Sequence, residues 1–439
     1  MTGIDSGYCA ANREEVEQIQ LERLQAVLHR VYRNVEYYRE SFRGRAVFPD
    51  DVVSLDMIRR LPTTGRATLV ANHPYGMFAV PLREVIRLQS TSPVASEAIV
   101  VGFTRNDIDH WTELAARSLL SAGVSRDDLV HICIDYGLFP GALGLHYGAE
   151  KIGASVIPGS NMAPDAEFEM MRNYHTTVLV TTPQRAVRLA NYIRSHHIHA
   201  KALMLRACLL VGQYWSESVR SKIEESMDCP VYDCYGHSEV VASGIAAECK
   251  KRNGLHINED HFFAEIVDLT TGDTLAPGQK GELVITTLTK EAFPLIRYRT
   301  GDITRLDYQT CECGCCFARM DRVSKRTDDM VFIGGVNIFP SQVERIICDV
   351  IGARAPAPIF QLIVEGNEAS ESVEVAIEVS EAIFSDKLRV LREIEEKIRG
   401  ELFDMLGVAA KVRLVEPGNL RMEPAGRGRV VDRREVNGG

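Results

Sequence analysis

Residues 12–42 alternate apolar and charged positions at helical spacing. Apolar side chains recur every three or four residues and charged residues fill the gaps, a pattern typical of amphipathic helices. The apolar positions are Val16, Ile19, Leu21, Leu24, Val27, Leu28 and Val31. We therefore expect one or two helices here, which cover a face of a larger domain with their apolar stripe.

Short apolar runs alternate with helical patterns further along the chain. The runs at residues 129–135, 154–158, 177–182 and 202–211 predict strands. The segments between them predict loops and helices, including one helix that continues through Ala190. Such alternation predicts a layered α/β domain with largely parallel sheets.

The C-terminal part of the chain follows a different order. It predicts a strand pair, a helix, two strands, a long amphipathic helix and a last strand, at residues 329–338, 341–351, 358–365, 372–380, 385–405 and 409–415. This order indicates a small α+β domain of ferredoxin-like character. Because 439 residues are too many for one ordinary core, we expect a large N-terminal α/β domain over residues 1–326 and a small C-terminal domain over residues 327–439.

Charge and cysteine content narrow the function classes. A formal charge of −10 and a pI near 5.7 argue against nucleic acid or anionic membrane as the main partner and favour a small ligand. No apolar run approaches the roughly 20 residues of a bilayer span, and the N-terminus lacks the order of a signal peptide. A cytoplasmic protein is therefore expected. Its eleven cysteines favour free thiols, a metal site or chemistry over a disulfide framework.

Residues 231–239, Val-Tyr-Asp-Cys-Tyr-Gly-His-Ser-Glu, carry the first candidate chemistry. An apolar run meets Gly236, and a hydroxyl and a carboxylate follow shortly after Tyr235. A strand that ends in such a turn presents polar side chains at the carboxyl edge of a sheet, where open α/β folds bind ligands. Cys234 and His237 add a thiol and a base, so a covalent relay through the thiolate is one hypothesis. A buried core cysteine, with His237 as the only base, is the alternative.

Further motifs follow in a fixed order. They occupy residues 136–150, 281–288, 294–302, 326–330 and 335–344. Together with Tyr235-Gly-His-Ser-Glu239 they resemble the phenylacetate-CoA ligase branch of the adenylate-forming superfamily, from about residue 21 to residue 432. The resemblance implies the two-domain fold of that superfamily, in which the small domain rotates about a hinge between two half-reactions. It also suggests a homodimer.

The resemblance implies roles for individual residues. Ser238 and Glu239 would face the acyl-adenylate and its magnesium ion. Asp302 would hold the ribose hydroxyls, because a carboxylate accepts two hydrogen bonds from a vicinal diol. The other implied roles are an acyl pocket of Tyr136, Phe139, Tyr235 and Gly236, nucleotide or CoA contacts from Arg326, Asn337 and Gln213, and a hinge at Asp328. For Tyr136 and Phe139, the alternative is that both are ordinary core aromatics.

The phosphate loop departs from the family pattern. Family ligases carry Ser-Ser-Gly-Thr-Thr-Gly-Lys-Pro, in which glycines let backbone N–H groups close on the triphosphate. Residues 91–98 place Pro93 and Ser96 at the glycine positions and Glu97 at the lysine position. Proline removes a donor, and glutamate opposes a polyanion. We therefore expect this loop not to hold ATP.

Two further departures also affect adenylation. Gln213 replaces a family glutamate. No lysine follows Lys411, and Arg427, near the position of the family's C-terminal lysine, has a planar guanidinium in place of a compact ammonium. One lost charge commonly costs about 10²–10³ in rate. The preferred hypothesis is an acyltransferase that moves an aromatic acyl group from CoA to a thiol, such as that of an acyl carrier protein, with adenylation lost. The alternatives are an ATP- and Mg²⁺-dependent aryl-CoA ligase and a non-catalytic acyl-CoA-binding protein.

Cysteine spacing adds a candidate metal site. Cys311 and Cys313 lie two residues apart, and Cys249 and His256 form a separate pair earlier in the chain. Three thiolates and an imidazole have the ligand types and the count of a tetrahedral structural zinc. Some members of the resembled family carry similar residues here. A hairpin of free thiols is the alternative, because Cys-x-Cys is less diagnostic than Cys-x-x-Cys.

Overall fold

The chain divides into two compact units, Met1–Val323 and Ser324–Gly439. The computed structural model describes residues 12–91, 99–137, 141–160, 162–212, 215–323, 325–327, 331–333, 336–338, 340–351, 359–367, 370–379, 388–406, 409–420 and 429–432. Among these residues, no helix has the length and apolar character needed to cross a membrane. The domain boundary expected after residue 326 stays a prediction.

Helices of the first unit begin at capping residues that the sequence supplies. The Asn12 side chain accepts a hydrogen bond from the N–H of Glu15, and Thr104 and Asp107 form a capping box. The helices are α1 Arg13–Asn34, α2 Glu36–Gly44, α3 Arg66–Ala71, α4 Arg105–Ser121, α5 Gly141–Ile152, α6 Pro164–Asn173, α7 Pro183–Ser195 and α8 Glu217–Met227. Short 3₁₀ turns occupy Pro49–Asp51, Leu55–Arg60, Leu82–Glu84 and Ala200–Ala202. One or two helices were expected within residues 12–42, and the structure has two there, α1 and α2.

The strands of the first unit form a main sheet and smaller ones. They are β1 Arg87–Ser90, β2 Val100–Phe103, β3 Leu129–Cys133, β4 Ser155–Pro158, β5 Val178–Thr181, β6 Ala207–Val211, β7 Val231–His237, β8 Val241–Glu248, β9 Leu255–Ile257, β10 Phe262–Val267, β11 Gly281–Thr287, β12 Tyr298–Thr304, β13 Leu306–Asp307 and β14 Arg319–Met320. The main sheet has the order β13-β14-β9-β8-β7-β6-β5-β3-β4. From β4 to β7 the neighbours run parallel, and from β7 to β13 they run antiparallel. The expected layered α/β domain is confirmed.

Two apolar clusters hold the elements of the first unit together. One cluster packs α4 and α5 against the parallel strands, with Leu119, Val130, Leu145 and Val180 fully buried. A second and larger cluster includes residues of α1 and α2, of β12 and of α4. Burial of a large apolar side chain stabilises the fold by about 1.5–3 kcal/mol, so these clusters fix the sheet edge that carries the candidate site.

The second unit is a small α+β fold, as expected. Its helices are α9 Pro340–Ile351 and α10 Leu388–Leu406, and its strands are β15 Lys325–Arg326, β16 Val331–Ile333, β17 Val336–Ile338, β18 Phe360–Asn367, β19 Ser370–Glu378, β20 Ala410–Val415 and β21 Val430–Asp432. One sheet has the order β20-β19-β18-β21, with β18 and β19 antiparallel and the two outer pairs parallel. Its core packs apolar residues of α9 and α10 against the sheet.

Two details differ from the sequence-based prediction. The strand expected at residues 202–211 begins only at Ala207, where the ladder starts with the pair Val178–Ala207. Ala202 ends a 3₁₀ turn, and residues 203–206 form no regular secondary structure. The sequence pattern also missed β21, since its three residues are too few to show a period.

Candidate active site

The carboxyl ends of the parallel strands meet at one edge of the main sheet. Strand β3 lies between β4 and β5, so the chain leaves β3 toward one side and returns to the other. Crevices at such a reversal are the usual ligand sites of open α/β sheets. Tyr136 follows β3 at this edge, and the turn His237–Val240 follows β7, with a hydrogen bond from the N–H of Val240 to the carbonyl of His237.

A bulge shapes the end of β7. The register to β8 shifts between Tyr235 and His237. A Cβ atom at Gly236 would lie 2.1 Å from the carbonyl oxygen of Ala242, so only glycine allows the two backbones to approach this closely. Gly236 therefore acts through backbone geometry, and it turns Ser238 and Glu239 out of the strand.

Tyr235 and Asp302 form a hydrogen-bonded pair beside this turn. The phenol donates to Oδ2 of Asp302 at 2.5 Å, and the Asp302 side chain is 3 % exposed. The N–H of Asp302 donates to Oγ1 of Thr300 at 3.1 Å. The N–H of Gly301 donates to Glu282 at 3.1 Å. These contacts hold one carboxylate in a fixed orientation at the sheet edge.

A charged cluster lies next to this pair. Glu239 is fully buried, and its Oε1 accepts a hydrogen bond from Nη1 of Arg66. Its Oε2 lies 2.8 Å from Nδ1 of His237. The other ring nitrogen of His237 donates to the carbonyl of Thr300 at 3.2 Å, and the ring meets Tyr298 edge-on at 5.4 Å. His237, predicted as a general base, is thus held between β12 and Glu239.

Arg66 is a site residue that sequence reasoning missed. The preceding segment is anchored to β12, since the N–H of Thr64 donates to the carbonyl of Arg297 at 3.0 Å and the N–H of Arg299 donates back to Thr64 at 2.9 Å. Thr64 is fully buried and also donates its hydroxyl to the carbonyl of Ile296. Gly65, directly before Arg66, is the N-cap of α3.

Cys234 lies away from this cluster. Its side chain is 1 % exposed in the apolar cluster between the sheet and α4. Burial raises the pKa of its thiol to about 11, against smaller opposing effects of hydrogen bonds to Ser118 and Gly244. Because successive side chains of a strand point to opposite faces, Cys234 and Tyr235 face different layers. The structure favours the core cysteine over the thiolate relay.

Tyr136 belongs to a hydrogen-bonded chain. Its phenol lies 3.1 Å from Nδ1 of His146, whose Nε2 lies 3.2 Å from Glu150. The carboxylate of Glu150 only accepts, so Nε2 donates to it and Nδ1 accepts from the phenol. Tyr136 is half-buried at the carboxyl end of β3, so it is neither a plain core aromatic nor a surface residue.

Several predicted residues lie outside the described residues. These are Phe139, Gln213, Asp328, Arg427 and residues 92–98 of the phosphate loop. Arg326 lies in β15, and Asn337 contributes backbone to β17. Their predicted roles stay predictions.

The four predicted metal ligands come together in the first unit. The ligand atoms of Cys249, His256, Cys311 and Cys313 all lie within 4.8 Å of one another. The sulfurs of Cys249 and Cys311 are 4.0 Å apart, and the sulfur of Cys313 is 3.5 Å from Nε2 of His256. Burial, followed by the positive charge of Arg319, lowers the pKa of His256 to about 4, which keeps the imidazole in its neutral, ligating form.

Comparisons with known proteins identify the family. A model of AMP-binding enzymes matches residues 142–289, and a model of the AMP-binding enzyme C-terminal domain matches residues 335–434. Phenylacetate-coenzyme A ligase of Escherichia coli (strain K12) is 37 % identical over 430 residues, which cover 98 % of this chain and 97 % of that protein. The chain belongs to the phenylacetate-CoA ligase family of adenylate-forming enzymes.

Two further comparisons are consistent with this family assignment. Phenylacetate-coenzyme A ligase of Thermus thermophilus is 36 % identical, with 96 % of this chain and 98 % of that protein covered. A solved 2-hydroxyisobutyryl-CoA ligase in the postadenylation state has a TM-score of 0.86 at 24 % identity and covers 98 % of this chain and 94 % of its own. That likeness supports the fold, a large N-terminal and a smaller C-terminal domain.

Proposed function

We propose that this enzyme is an ATP-dependent aryl-CoA ligase, which forms an aryl-adenylate and then an aryl-CoA. The Tyr235–Asp302 pair carries the proposal, because it fixes a buried carboxylate beside the Ser238–Glu239 turn. Similarity to phenylacetate-CoA ligases over nearly the whole chain supports the same chemistry. On sequence alone this function ranked second. The comparisons support it better than the acyltransferase that has lost adenylation.

Each residue has a defined task in this proposal. Asp302 accepts hydrogen bonds from the two ribose hydroxyls, and Tyr235 orients its carboxylate. Ser238 and Glu239 offer hard oxygen ligands that suit the Mg²⁺ of the ATP substrate, an ion that needs few protein ligands because it keeps waters and phosphate oxygens. His237 lies against Glu239 on one side. Its role as base for the CoA thiol stays a hypothesis.

Carboxylate-dependent exchange of pyrophosphate into ATP tests the adenylation step. We expect exchange with at least one member of a panel of aryl acids. Asp302→Asn should lower the exchange rate by about 10²–10³. Asp321→Asn is the matched control, because Asp321 is 39 % exposed and pairs with Arg305 outside the described cluster. A folded wild-type protein that exchanges with no aryl acid would contradict the proposal.

A second candidate is the CoA-dependent acyltransferase. It is favoured by Pro93 and Glu97 in the phosphate loop, by Gln213 and by the absence of lysine after Lys411. The test mixes aryl-CoA with a phosphopantetheinylated acyl carrier protein in the absence of ATP. Transfer without ATP, together with no exchange, would establish this function. Binding of aryl-CoA with neither reaction would indicate the non-catalytic binding protein.

A structural zinc ion fits the Cys/His cluster. Tetrahedral zinc places two sulfurs about 3.8 Å apart and a sulfur and a nitrogen about 3.6 Å apart. The observed separations are 4.0 Å and 3.5 Å. Cys249, His256, Cys311 and Cys313 would hold the ion and join the end of β8 to β9 and the 311–313 loop. Metal analysis after purification without added zinc tests this, with Cys311→Ser expected to lose the metal and Cys316→Ser to keep it.

Assembly and location complete the proposal. A homodimer is proposed from the family resemblance, and light scattering of the purified protein at several concentrations tests it. A mass equal to one chain at every concentration would exclude the dimer. The cytoplasmic location expected from the sequence stays a prediction.

A further inference from the structure

Adenylation needs positive charge near the α-phosphate of the nucleotide, and this chain has lost two family sources of it. Glu97 stands at the loop lysine position, and no lysine follows Lys411. Charge held in place where negative charge develops is commonly the largest single contribution to catalysis. If the enzyme is a ligase, as proposed above, another cation has to face the phosphate.

Arg66 is a cation that lies beside the Ser238–Glu239 turn. Its guanidinium contacts Glu239, directly after Ser238 and four residues from Tyr235, and 31 % of its side chain is exposed whereas Glu239 is 1 % exposed. The buried carboxylate therefore fixes the guanidinium at the sheet edge, while part of the Arg66 side chain reaches solvent. A guanidinium carries five donors in a planar fork, so it can bind a carboxylate on one edge and a phosphate on another.

The position of Arg66 is fixed by the backbone as well. The Thr64 bridge to Tyr298 ties the segment before Arg66 to β12, the strand that carries Asp302. The segment that leads into Arg66 is thus tied to the strand that carries Asp302. A cation held by such a support needs little rearrangement when substrate binds.

The arginines in β12 and directly before it pair with other carboxylates. Arg297 is 4 % exposed and forms two hydrogen bonds to Glu265, at 2.9 and 3.0 Å. Arg299 pairs with Glu282, and strand alternation places it on the opposite face from Tyr298 and Thr300. Among these arginines, Arg66 is the one that joins the Glu239 cluster.

We infer that Arg66 is a catalytic residue whose guanidinium binds the α-phosphate of the nucleotide and of the aryl-adenylate. Glu239 orients it, and His237 lies against the other carboxylate oxygen of Glu239. The inference rests on the ATP-dependent ligase function proposed above. It predicts that Arg66 contributes to the binding of a nucleoside monophosphate and contributes nothing to the binding of the nucleoside without phosphate.

Binding of adenosine and AMP to the same protein separates these contributions. Titration calorimetry should show that the wild type binds AMP about ten to a hundred times more tightly than adenosine, as charge-assisted hydrogen bonds to phosphate would give. In Arg66→Gln the ratio should fall to about one, with adenosine affinity unchanged. Arg66→Lys keeps the charge beside Glu239, so it should fold and retain part of the ratio.

Arg206→Gln is the matched control. Arg206 is 41 % exposed and pairs with Asp128, which is 3 % exposed, so this variant also strips an arginine from a buried carboxylate, but at the opposite edge of the sheet. It should keep the wild-type ratio. If Arg66→Gln keeps the ratio, or weakens adenosine and AMP equally, the inference is overturned while the ligase proposal stands. A wild type that binds neither compound overturns both.

Discussion

Two buried carboxylates lie at opposite edges of the main sheet, and each is paired with an arginine. Asp128, just before β3, accepts hydrogen bonds from the N–H of Ser125 at 2.7 Å, the hydroxyl of Thr177 at 2.8 Å and the guanidinium of Arg206. Glu239, just after β7, faces Arg66 and His237. At the amino edge, uncharged donors as well as an arginine stabilise the Asp128 carboxylate. At the carboxyl edge, the neighbours of Glu239 are two side chains that the ligase proposal places near the substrate.

The difference between the two edges separates contacts that stabilise the sheet from contacts that position side chains of the candidate site. Asp128, Thr177 and Arg206 each directly precede a parallel strand, so their contacts fix the starts of three neighbouring strands. The residues around Glu239 come from distant segments, and their contacts fix side chains rather than strand register. The following predictions address this comparison.

Glu239→Gln should have the largest effect on activity. It removes the charge that holds Arg66, and the ligase proposal places this carboxylate beside the Mg–ATP substrate, so we expect pyrophosphate exchange to fall by about 10²–10³. Asp128→Asn should leave the rate per folded molecule within about twofold, because Asp128 lies at the other edge. Equal losses in the two variants would show that both edges act only through stability.

Asp128→Ala should have the largest effect on stability. It leaves the N–H of Ser125 and the guanidinium of Arg206 without this acceptor, and the hydroxyl of Thr177 keeps only the longer contact to the carbonyl of Leu129 at 3.4 Å. We expect a cost of about 2–3 kcal/mol in the free energy of unfolding. Urea denaturation followed by circular dichroism measures this quantity. A change below about 0.5 kcal/mol would contradict a structural role for the amino edge.

The stabilisation by Asp128 should disappear in acid. Burial raises the pKa of this carboxyl, but hydrogen bonds from Arg206, Ser125 and Thr177 outweigh burial and lower the pKa below its usual value. A depressed pKa contributes stability that is fully present above the unfolded-state value of about 3.9 and is lost as the pH falls through the folded-state value. The difference in unfolding free energy between wild type and Asp128→Asn should therefore shrink from pH 7 to pH 3. A constant difference would reject the assignment.

Cys234→Ala should have the smallest effect, although it changes the same strand as Tyr235. The buried thiol packs behind the sheet, so we expect a loss of about 1 kcal/mol in stability and less than a twofold change in exchange rate. Intact-protein mass after incubation with aryl-CoA should show no adduct on the wild type. A covalent adduct that disappears in the variant would revive the thiolate relay.

The sequence predicted much of this fold because its patterns are local. The apolar spacing before Val35 is a property of neighbouring residues, and so is the turn at Gly236. Asp302 was found because it stands in a family motif. The cysteine spacing, supported by the family resemblance, also brought Cys249, His256, Cys311 and Cys313 together as candidates before their separations were known.

Arg66 was missed because its role depends on a contact across the chain. Nothing in the local sequence distinguishes it from other exposed arginines, and its partner Glu239 lies 173 residues away. Cys234 and His237 were taken together because they are close in sequence. Strand alternation and the bulge separate their side chains into different layers.

The 173-residue span between Arg66 and Glu239 also has a consequence for biosynthesis. At about 5–20 residues per second, a ribosome needs roughly 9–35 s to reach Glu239 after Arg66 has been translated. During that interval the nascent chain carries an arginine whose buried partner does not yet exist. The candidate site at this edge is therefore assembled late in translation, and a prematurely released chain that ends before residue 239 cannot complete it.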